Sequence, residues 1–369
     1  MKITIIGAGI AGLTLAHALA KEKIDCEIFE SASDIRPIGA GIILAPNAMN
    51  VYQTLRLATR LQNSGNYLDQ LKLTDPQMKP ISVIDVKKYR VKHQNYTMSI
   101  HRGTLQIELI ESLKNTKIHL GKSLKEVKKK KSNYTLFFED GTSHECDHII
   151  GADGIHSVVR KTIAPHANIR KSNQHCWRGV CDMKLTDDLS HEINEMWGTG
   201  SRFGLVPLTQ GKVYWFALSN HKNIKLLEQF TTYHPIVNQI IDATNSTKII
   251  YNEITDLVPM DLWYMDKICL IGDAAHAMTP NMGQGAGQSI EDAKVLAEEI
   301  SKNPSLESAF QKYQQIRQKR VESIMNKSWQ IGTIAQLENR WIRSLRNMIM
   351  RSIPSFINER QVKQVYQLS

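Results

Sequence analysis

The sequence predicts an α/β protein in which a discontinuous domain with a parallel sheet is joined to an inserted, mixed β-sheet domain and to C-terminal helices. Three observations predict the first domain: short apolar runs near residues 2, 148 and 268 are each followed by a glycine-rich corner with an acidic residue. Runs of this length are typical of buried strands. Apolar residues at three- and four-residue spacing after the first and third corners indicate helices.

The first corner has the spacing of a dinucleotide-binding βαβ unit. A strand over residues 2–6 precedes Gly7, Gly9 and Gly12, a helical pattern follows to about residue 21, and a second strand ends in Glu30. The glycines permit a tight turn and close approach of a pyrophosphate, and the acid accepts hydrogen bonds from ribose hydroxyls. The context favours a Rossmann-like site but does not separate FAD from NAD.

Residues 36–41 form a predicted loop, and Asn47 is the predicted N-cap of the next helix. Residues 71–96 are more strand-like and polar, which indicates an excursion into the second domain. Arg102 then opens another helix near residue 105. An arginine in this position either pairs with a pyrophosphate or lies at the surface, and the sequence leaves both open.

Residues 118–150 are predicted to form antiparallel strands, with Asp140 and Gly141 at a hairpin turn. The last of these strands is closed by the second corner, residues 151–154, which contains Asp153 and Gly154.

Residues 168–264 are the predicted substrate domain. Residues 202–208 and 212–218 indicate a hairpin that carries Arg202, Phe203, Tyr214 and Phe216. Aromatic strand residues are typical of a core, but here they are also candidates to line an apolar pocket. Whether Arg202 and Tyr214 share a face depends on the loop length, because a slip of one residue reverses it.

The third corner begins at Gly272 and Asp273 and continues through Pro280 and Gly283 to a helix start near Gly285. Glycines allow close backbone approach, and a helix N-terminus offers unpaired N–H groups. These features favour a site for a polar, partly anionic ligand, although an ordinary βα turn with an incidental aspartate has the same pattern.

Composition limits the class of protein. The chain has 369 residues, 42% apolar and 22% charged, with a net charge of +10. This describes a globular protein suited to anionic ligands, and no basic helix or aromatic-rich motif supports nucleic-acid binding. Five scattered cysteines predict reduced thiols and a cytoplasmic location. No signal peptide, membrane span or metal site is predicted.

Helices are predicted from residue 306 to the C-terminus. In residues 341–353, apolar residues alternate with three arginines. Such a helix either packs on its own domain or makes weak peripheral contact with an anionic membrane.

Together, the three corners resemble the single-component (class A) FAD-dependent aromatic monooxygenases, the family of para-hydroxybenzoate hydroxylase with its glutathione-reductase-like FAD domain. Arg102 lies where that family has an arginine that reaches the FAD pyrophosphate. The resemblance implies an FAD-binding domain of residues 1–71, 99–167 and 265–330, a substrate domain of residues 72–98 and 168–264, and a C-terminal helical segment of residues 331–369. The implied FAD-binding residues are Gly7, Gly9, Ile10, Ala11, Gly12, Glu30, Ser31, Arg36, Gly41, Ile42, Arg102, Val127, Asp153, Gly154, Asp273, Pro280, Gly283, Gly285 and Ala286.

Within the family, the chain is similar to the urate and salicylate hydroxylase branch, which implies that Arg202 and Tyr214 serve the substrate. The implied reaction uses tightly bound FAD, transient NAD(P)H and O2 to hydroxylate a small aromatic ring through a flavin C4a-hydroperoxide. Phe203, Tyr214 and Phe216 are expected to keep water out. Alternatives are oxygenation of a larger isoprenoid, polyene or tetracycline-like molecule, a non-oxygenating reductase, and an FAD-binding protein without turnover. A monomer or homodimer is expected.

Overall fold

A computed structural model describes residues 2–36, 39–88, 96–222, 225–353 and 366. It confirms the predicted fold class: a parallel sheet covered by helices and a separate mixed sheet, which meet at a large cavity. The predictions for residues 37–38, 89–95 and most of the chain after residue 353 lie outside the described residues.

The parallel sheet consists of short strands, and its central ones are completely buried. Helices pack on the sheet, and Phe138 and His144 of a small antiparallel sheet pack against its Phe29. The strands run parallel except at one edge, where β18 is antiparallel to β19. Three neighbouring strands therefore end at the same edge, and the three corners follow from them. The order across the sheet is β18 (Tyr264–Met265), β19 (Ile268–Leu270), β12 (His148–Gly151), β1 (Ile3–Ile6), β2 (Cys26–Phe29) and β8 (Lys117–His119).

Helices α1 and α9 pack on each other, and α9 also contacts α2 and α10. Short 3₁₀ turns occur at Asp187–Leu189, Ser246–Lys248 and Pro280–Met282. The helices of the described residues are α1 (Ile10–Lys21), α2 (Pro46–Thr54), α3 (Ala58–Ser64), α4 (Arg102–Ser112), α5 (Val158–Ile163), α6 (Leu226–Gln229), α7 (Ile236–Asp242), α8 (Asp273–His276), α9 (Gly285–Lys302), α10 (Leu306–Ala335) and α11 (Arg340–Ser352).

Two small antiparallel sheets flank the parallel one. The first has the order β11 (Ser143–Cys146), β10 (Asn133–Phe138) and β9 (Leu124–Lys130); the second has the order β3 (Gly41–Leu44), β7 (Met98–His101) and β4 (Asn66–Tyr67). The prediction that all strands between residues 118 and 150 are antiparallel was therefore wrong for β8 and β12, which join the parallel sheet. A local pattern does not show which distant strand a segment pairs with.

The second large sheet has seven strands and is antiparallel except where β5 runs parallel to β14. The predicted hairpin is present as β15 and β16, with residues 208–211 between them. The order is β17 (Ile250–Leu257), β13 (Ile169–Asp182), β16 (Lys212–Ser219), β15 (Ser201–Pro207), β14 (Glu192–Trp197), β5 (Gln70–Thr74) and β6 (Pro80–Asp85).

One face of this sheet is covered by α7 and carries a separate apolar core that includes Phe203, Trp215 and Phe230. The opposite face borders the cavity, and alternate residues of the same strands point to it. The pairing of the strands therefore decides which residues face the cavity and which face the core.

The C-terminal helices leave the parallel sheet and reach the seven-stranded one. Helix α10 packs along α9, and α11 packs against β6. No helix of the described residues has both the length and the apolar character needed to cross a bilayer.

Candidate active site

A cavity of about 630 Å³ lies between the carboxyl edge of the parallel sheet and the inner face of the seven-stranded sheet. All three corners border it, as the sequence predicted. From the parallel-sheet side its lining includes Gly9, Ile10, Ala11, Gly41, Ile42, Arg102, Gly154, Asp273, Pro280, Gly283, Gly285 and Ala286. The predicted FAD-binding residues are therefore largely gathered at one place.

The glycines of the first corner have distinct roles. Gly7 has a φ of +105°, and Gly12 lies so close to Gly7 that an added Cβ would overlap its carbonyl oxygen. Gly12 therefore allows α1 to pack on β1. A Cβ added to Gly9 would meet nothing within 4 Å. Space for a ligand is thus open directly in front of the start of α1.

Glu30 lies at the end of β2 and closes the first corner. Its carboxylate accepts hydrogen bonds from the backbone N–H of Ala8 at 2.7 Å and of Ala32 at 2.8 Å, and from the Ser31 hydroxyl at 3.0 Å. These bonds fix the carboxylate beside the glycine turn, where the fingerprint requires an acceptor for ribose hydroxyls.

Two helix N-termini face the cavity without a side-chain cap. Helix α1 begins after Gly9, and α9 begins at Gly285. The first N–H groups of a helix have no partner within the helix and carry a partial positive charge. Both ends are therefore suited to a negatively charged group, such as a pyrophosphate at α1 or an electron-rich ring edge at α9.

Arg102 opens α4 and lines the cavity, and within the described residues its exposed guanidinium has no ion-pair partner. This placement favours the phosphate-binding alternative over a purely surface role. Arg36 is also exposed and pairs with Asp34 at 2.6 Å, whereas Val127 is buried in β9, opposite Leu136. Arg36 and Val127 do not line the cavity, and their FAD contacts stay predictions.

The acids of the second and third corners differ. Asp153 accepts hydrogen bonds from the Ser157 hydroxyl at 2.6 Å and from the N–H groups of Val158 and Val159, so it caps the start of α5 and lies behind Gly154. Burial raises the pKa of the Asp153 carboxyl above its ordinary value. Asp273, by contrast, is exposed at the cavity wall.

A buried polar network holds the third corner from behind. Asp292 of α9 accepts a hydrogen bond from the N–H of Gly272 at 2.9 Å and bonds to the His276 ring at 2.5 Å. Arg317 of α10 donates to Asp292 at 2.8 Å and to Glu291 at 2.5 Å. The predicted N-cap role of Asn47 was wrong: Asn47 lies inside helix α2 and donates to Glu291 at 2.6 Å.

Arg202 lines the cavity from β15 but is only 2% exposed. Its guanidinium donates to Glu195 at 3.1 Å, to Asn281 at 2.6 Å and to Gln336 at 3.2 Å. The arginine therefore connects the seven-stranded sheet to the third corner and to the end of α10. Glu195 offsets its charge, which makes Arg202 less available to an anionic substrate than the resemblance implies.

Tyr214 shares the cavity face with Arg202, which resolves the register question. Residue 202 pairs with Leu218, Gly204 with Phe216, and Val206 with Tyr214. The Tyr214 ring lies against Gly41, where an added Cβ would approach it to 2.5 Å. Burial raises the pKa of the Tyr214 phenol well above its ordinary value, so the hydroxyl stays protonated at neutral pH.

Phe216 lines the cavity as predicted, and its ring covers Gly204, but the prediction for Phe203 was wrong. Phe203 is the neighbour of Arg202 in β15 and points to the opposite face, where it stacks on Trp215 with ring centroids 5.7 Å apart. Successive strand residues alternate between faces, so Arg202 and Phe203 cannot both border the cavity.

Several lining residues were not found from the sequence. Arg178 of β13 donates to Asn252 of β17 at 2.6 Å, and its Nε has no partner in the described residues. The two residues are 74 positions apart, so only the strand pairing brings them together. The only signal in the sequence was the alternation of side chains between the two faces of each strand, which does not show which face borders the cavity. The residues missed were Ile43, Cys176, Arg178, Glu195, Leu218, Ile250, Asn252, Ile254, Met278, Asn281 and Ser289.

A glycine-rich dinucleotide site that opens directly onto the inner face of a mixed sheet agrees with the resemblance to the single-component FAD-dependent aromatic monooxygenases. Residues 1–328 match the model of the FAD binding domain family, and the chain belongs to that family. The resemblance is thereby confirmed, FAD is the cofactor, and the protein is an oxidoreductase of the monooxygenase type that acts on aromatic or heteroaromatic substrates.

Three comparisons illustrate the relationship. Aurachin C monooxygenase/isomerase from Stigmatella aurantiaca is 34% identical, over 96% of this chain and 95% of that protein. The 2-heptyl-3-hydroxy-4(1H)-quinolone synthase of Pseudomonas aeruginosa is 32% identical, over 96% and 95%. The crystal structure of Klebsiella pneumoniae HpxO with FAD and uric acid superimposes with a TM-score of 0.89 at 24% identity and covers 99% of this chain and 96% of that chain.

Replacing Asp273 with alanine is expected to weaken FAD binding about tenfold, equivalent to about 1.4 kcal/mol. The reason is that the exposed carboxylate at the cavity wall is available to accept hydrogen bonds from hydroxyls of the cofactor. Titration of the apoprotein with FAD measures the change. Asp242→Ala, at the exposed end of α7, is the control and should bind FAD like the unaltered protein. Unchanged FAD affinity and turnover in Asp273→Ala would count against this placement.

Proposed function

We propose that this enzyme uses NAD(P)H and O2 to hydroxylate a heteroaromatic ring of the 4-quinolone type that carries an oxygen acceptor and an apolar side chain. The observation that carries the proposal is the wall contributed by the seven-stranded sheet. It combines an extended apolar surface with the guanidinium of Arg178, which has no acidic partner among the described residues. The name of the relative at 32% identity, a 2-heptyl-3-hydroxy-4(1H)-quinolone synthase, supports the ring type and the apolar side chain.

The apolar part of the wall comes from adjacent strands. Cys176, Leu218 and Ile254 form a small buried cluster that Phe216 joins, and all four border the cavity. Ile250 extends this surface along β17. An alkyl chain gains about 0.8 kcal/mol for each methylene that leaves water. A surface of this kind therefore favours a substrate with an apolar chain over a uniformly polar one.

The two arginines of the wall, Arg202 and Arg178, differ in how their charges are balanced. Arg202 is paired with Glu195, so that side is close to neutral. Arg178 has no acidic partner among the described residues, and its Nε is buried without an acceptor. Because a guanidinium donates readily to a carbonyl or hydroxyl oxygen, Arg178 with Asn252 is suited to hold the ring oxygen of the substrate.

FAD, when bound, supplies the redox chemistry: it accepts a hydride from NAD(P)H and activates O2. The chain binds, orients and shields. The uncapped N-terminus of α9 stabilises negative charge at the ring edge of the cofactor. Tyr214 and Phe216 exclude water from the reacting face, and the protonated Tyr214 hydroxyl orients the substrate ring.

The test is turnover by the FAD-loaded enzyme with 4-quinolones that differ only in alkyl chain length, with urate and salicylate for comparison. We expect stimulated NAD(P)H oxidation and one labelled oxygen in the product from ¹⁸O2. KM should fall by roughly fourfold for each added methylene while the chain still contacts protein. Turnover of urate or salicylate with no turnover of any 4-quinolone would overturn the proposal.

A matched pair of variants locates the chain-binding surface. Leu218→Thr should flatten the dependence of KM on chain length, because it places a hydroxyl in the apolar cluster. Leu218→Met keeps the volume and apolar character and should preserve the dependence. Equal slopes in the two variants would contradict the placement of the alkyl chain along β16.

A compact substrate of the urate type is the second candidate. It is favoured by the superposition on the HpxO–uric acid structure and by the presence of Arg202 on the cavity face. The charge balance around Arg202 argues against it, since Glu195 already occupies the guanidinium. The same turnover experiment separates the two candidates.

A further inference from the structure

Helix α11 presents an apolar face to solvent. Five of its six large apolar side chains are each more than half exposed: Trp341 70%, Ile342 52%, Leu345 51%, Met348 59% and Ile349 53%. Their spacing places them on one side of the helix, so they form a continuous surface, which we call the α11 apolar face. Single exposed apolar residues are ordinary, but a contiguous patch marks an interaction site.

The opposite, basic side of α11 is the side that packs on the protein. Arg346 is 7% exposed, donates to the carbonyls of Ile334 and Ala335 at 2.8 and 3.0 Å, and stacks on Trp197 at 4.9 Å. Arg351 donates to the carbonyl of Pro80 at 3.2 Å. A helix on a water-soluble surface normally buries its apolar side. In α11, the arginine contacts hold the helix with its basic side on the protein and its apolar side in solvent.

The charge and length of α11 indicate the kind of partner that its apolar face binds. Within Arg340–Ser352 there are four arginines and no acidic residue, and the chain as a whole has a net charge of +10. Thirteen residues span about 20 Å, too short to cross a hydrocarbon core of about 30 Å. A short helix with an apolar face, basic flanks and no acid has the properties of one that lies flat in a membrane interface.

We propose that the α11 apolar face binds the surface of an anionic phospholipid membrane, with the helix parallel to the bilayer. The apolar side chains enter the boundary between headgroups and acyl chains, and Arg340 and Arg343, which flank the apolar face, contact lipid phosphates. The contact is peripheral and reversible, and it holds the enzyme where apolar substrates partition. This inference does not depend on the substrate class proposed above.

The test is cosedimentation of the full-length, FAD-loaded protein with vesicles of phosphatidylcholine alone or mixed with phosphatidylglycerol. We expect binding to the mixed vesicles that is at least about tenfold stronger than to the neutral ones and that weakens as salt is raised from 50 to roughly 500 mM. Absence of binding to the anionic vesicles overturns the proposal.

Two double variants make the test specific. Leu345→Ser/Ile349→Ser removes half-exposed residues of the α11 apolar face and should reduce vesicle binding about tenfold or more. The control, Leu227→Ser/Ile316→Ser, changes residues that are 44% and 40% exposed elsewhere and should bind vesicles like the unaltered protein. Equal loss in both variants would overturn the assignment to α11. Flavin absorbance verifies that each variant is folded and loaded.

Tryptophan fluorescence gives an independent readout. Addition of anionic vesicles should shift the emission of the unaltered protein to shorter wavelength, and the shift should be absent in Trp341→Phe although that variant still binds. Sedimentation velocity tests the competing partner, a second copy of the chain. A dimer that Leu345→Ser/Ile349→Ser dissociates, together with no vesicle binding, would overturn the membrane proposal.

Discussion

Replacing Arg317 with methionine is expected to destabilise the folded protein by about 3–5 kcal/mol, the usual cost of removing one partner from a buried charge pair. Arg317 and its partners Glu291 and Asp292 are 0%, 1% and 0% exposed. Methionine fills much of the space of the arginine, but it removes the positive charge and the hydrogen bonds that Asp292 and Glu291 receive from it. Denaturant unfolding of the FAD-loaded protein measures the change in the free energy of unfolding.

The matched control is Arg320→Met, the same substitution three residues further along α10. Arg320 lies 3.4 Å from Glu291 but is 22% exposed, so water replaces part of its interaction. Its loss should cost about 1 kcal/mol or less. A destabilisation of equal size in the two variants would contradict the view that burial makes Arg317 the critical partner.

The same network predicts a pH dependence. Burial alone would raise the pKa of Asp292, but His276 and Arg317 reverse this effect and hold it well below its ordinary value. A carboxyl whose pKa is lowered by folding contributes stability above its unfolded pKa of about 3.9 and loses it as the pH falls toward the folded value. The free energy of unfolding of the unaltered protein should therefore keep this contribution near neutral pH and lose it below about pH 4, which denaturant unfolding at a series of pH values measures.

This network explains why part of the site could not be predicted. The corners themselves are local patterns, so Gly9 and Asp273 were assigned correctly to a common cavity from their neighbours in the chain. The support behind the third corner depends on Arg317, 25 positions after Asp292 and on another helix. No periodicity marks which arginine of α10 points inward, because the choice is made by tertiary packing.

The strand register of the seven-stranded sheet also limited what could be predicted from the sequence. The sequence placed Arg202, Phe203, Tyr214 and Phe216 on a hairpin, and the structure has that hairpin. Pairing of Val206 with Tyr214 then puts Arg202 and Tyr214 on the cavity face and Phe203 in the core. The hairpin could be predicted from local composition, whereas the face of each residue required the exact pairing.

Helix α11 was predicted from the sequence, but its orientation on the protein was not. The amphipathic pattern was visible in the sequence, and it predicted either packing or a membrane contact. The usual rule would bury Trp341 and Leu345 and expose Arg346. The structure instead buries Arg346 on the end of α10, because three carbonyl and ring partners are available there. This tertiary contact leaves the apolar side of the helix exposed, which supports the proposed membrane contact.

Replacing Gly9 with valine is expected to reduce the affinity for FAD by about 100-fold or more, equivalent to about 2.7 kcal/mol, and to leave the fold intact. Gly9 has φ −74° and ψ −178°, an extended conformation that valine adopts without strain, and a Cβ there meets nothing within 4 Å. The new side chain therefore occupies only the space in front of α1, where we expect the pyrophosphate to approach the backbone.

Fluorescence titration of the apoprotein with FAD measures the affinity, and thermal unfolding without FAD tests the fold. The two measurements should diverge: Gly9→Val unfolds like the unaltered apoprotein but binds FAD poorly. Gly12→Ala should instead lose apoprotein stability, since its Cβ would overlap the Gly7 carbonyl oxygen and push α1 away from β1. If Gly9→Val binds FAD with unaltered affinity, the pyrophosphate does not lie at the first corner, and the assignment of the cavity to FAD there is wrong.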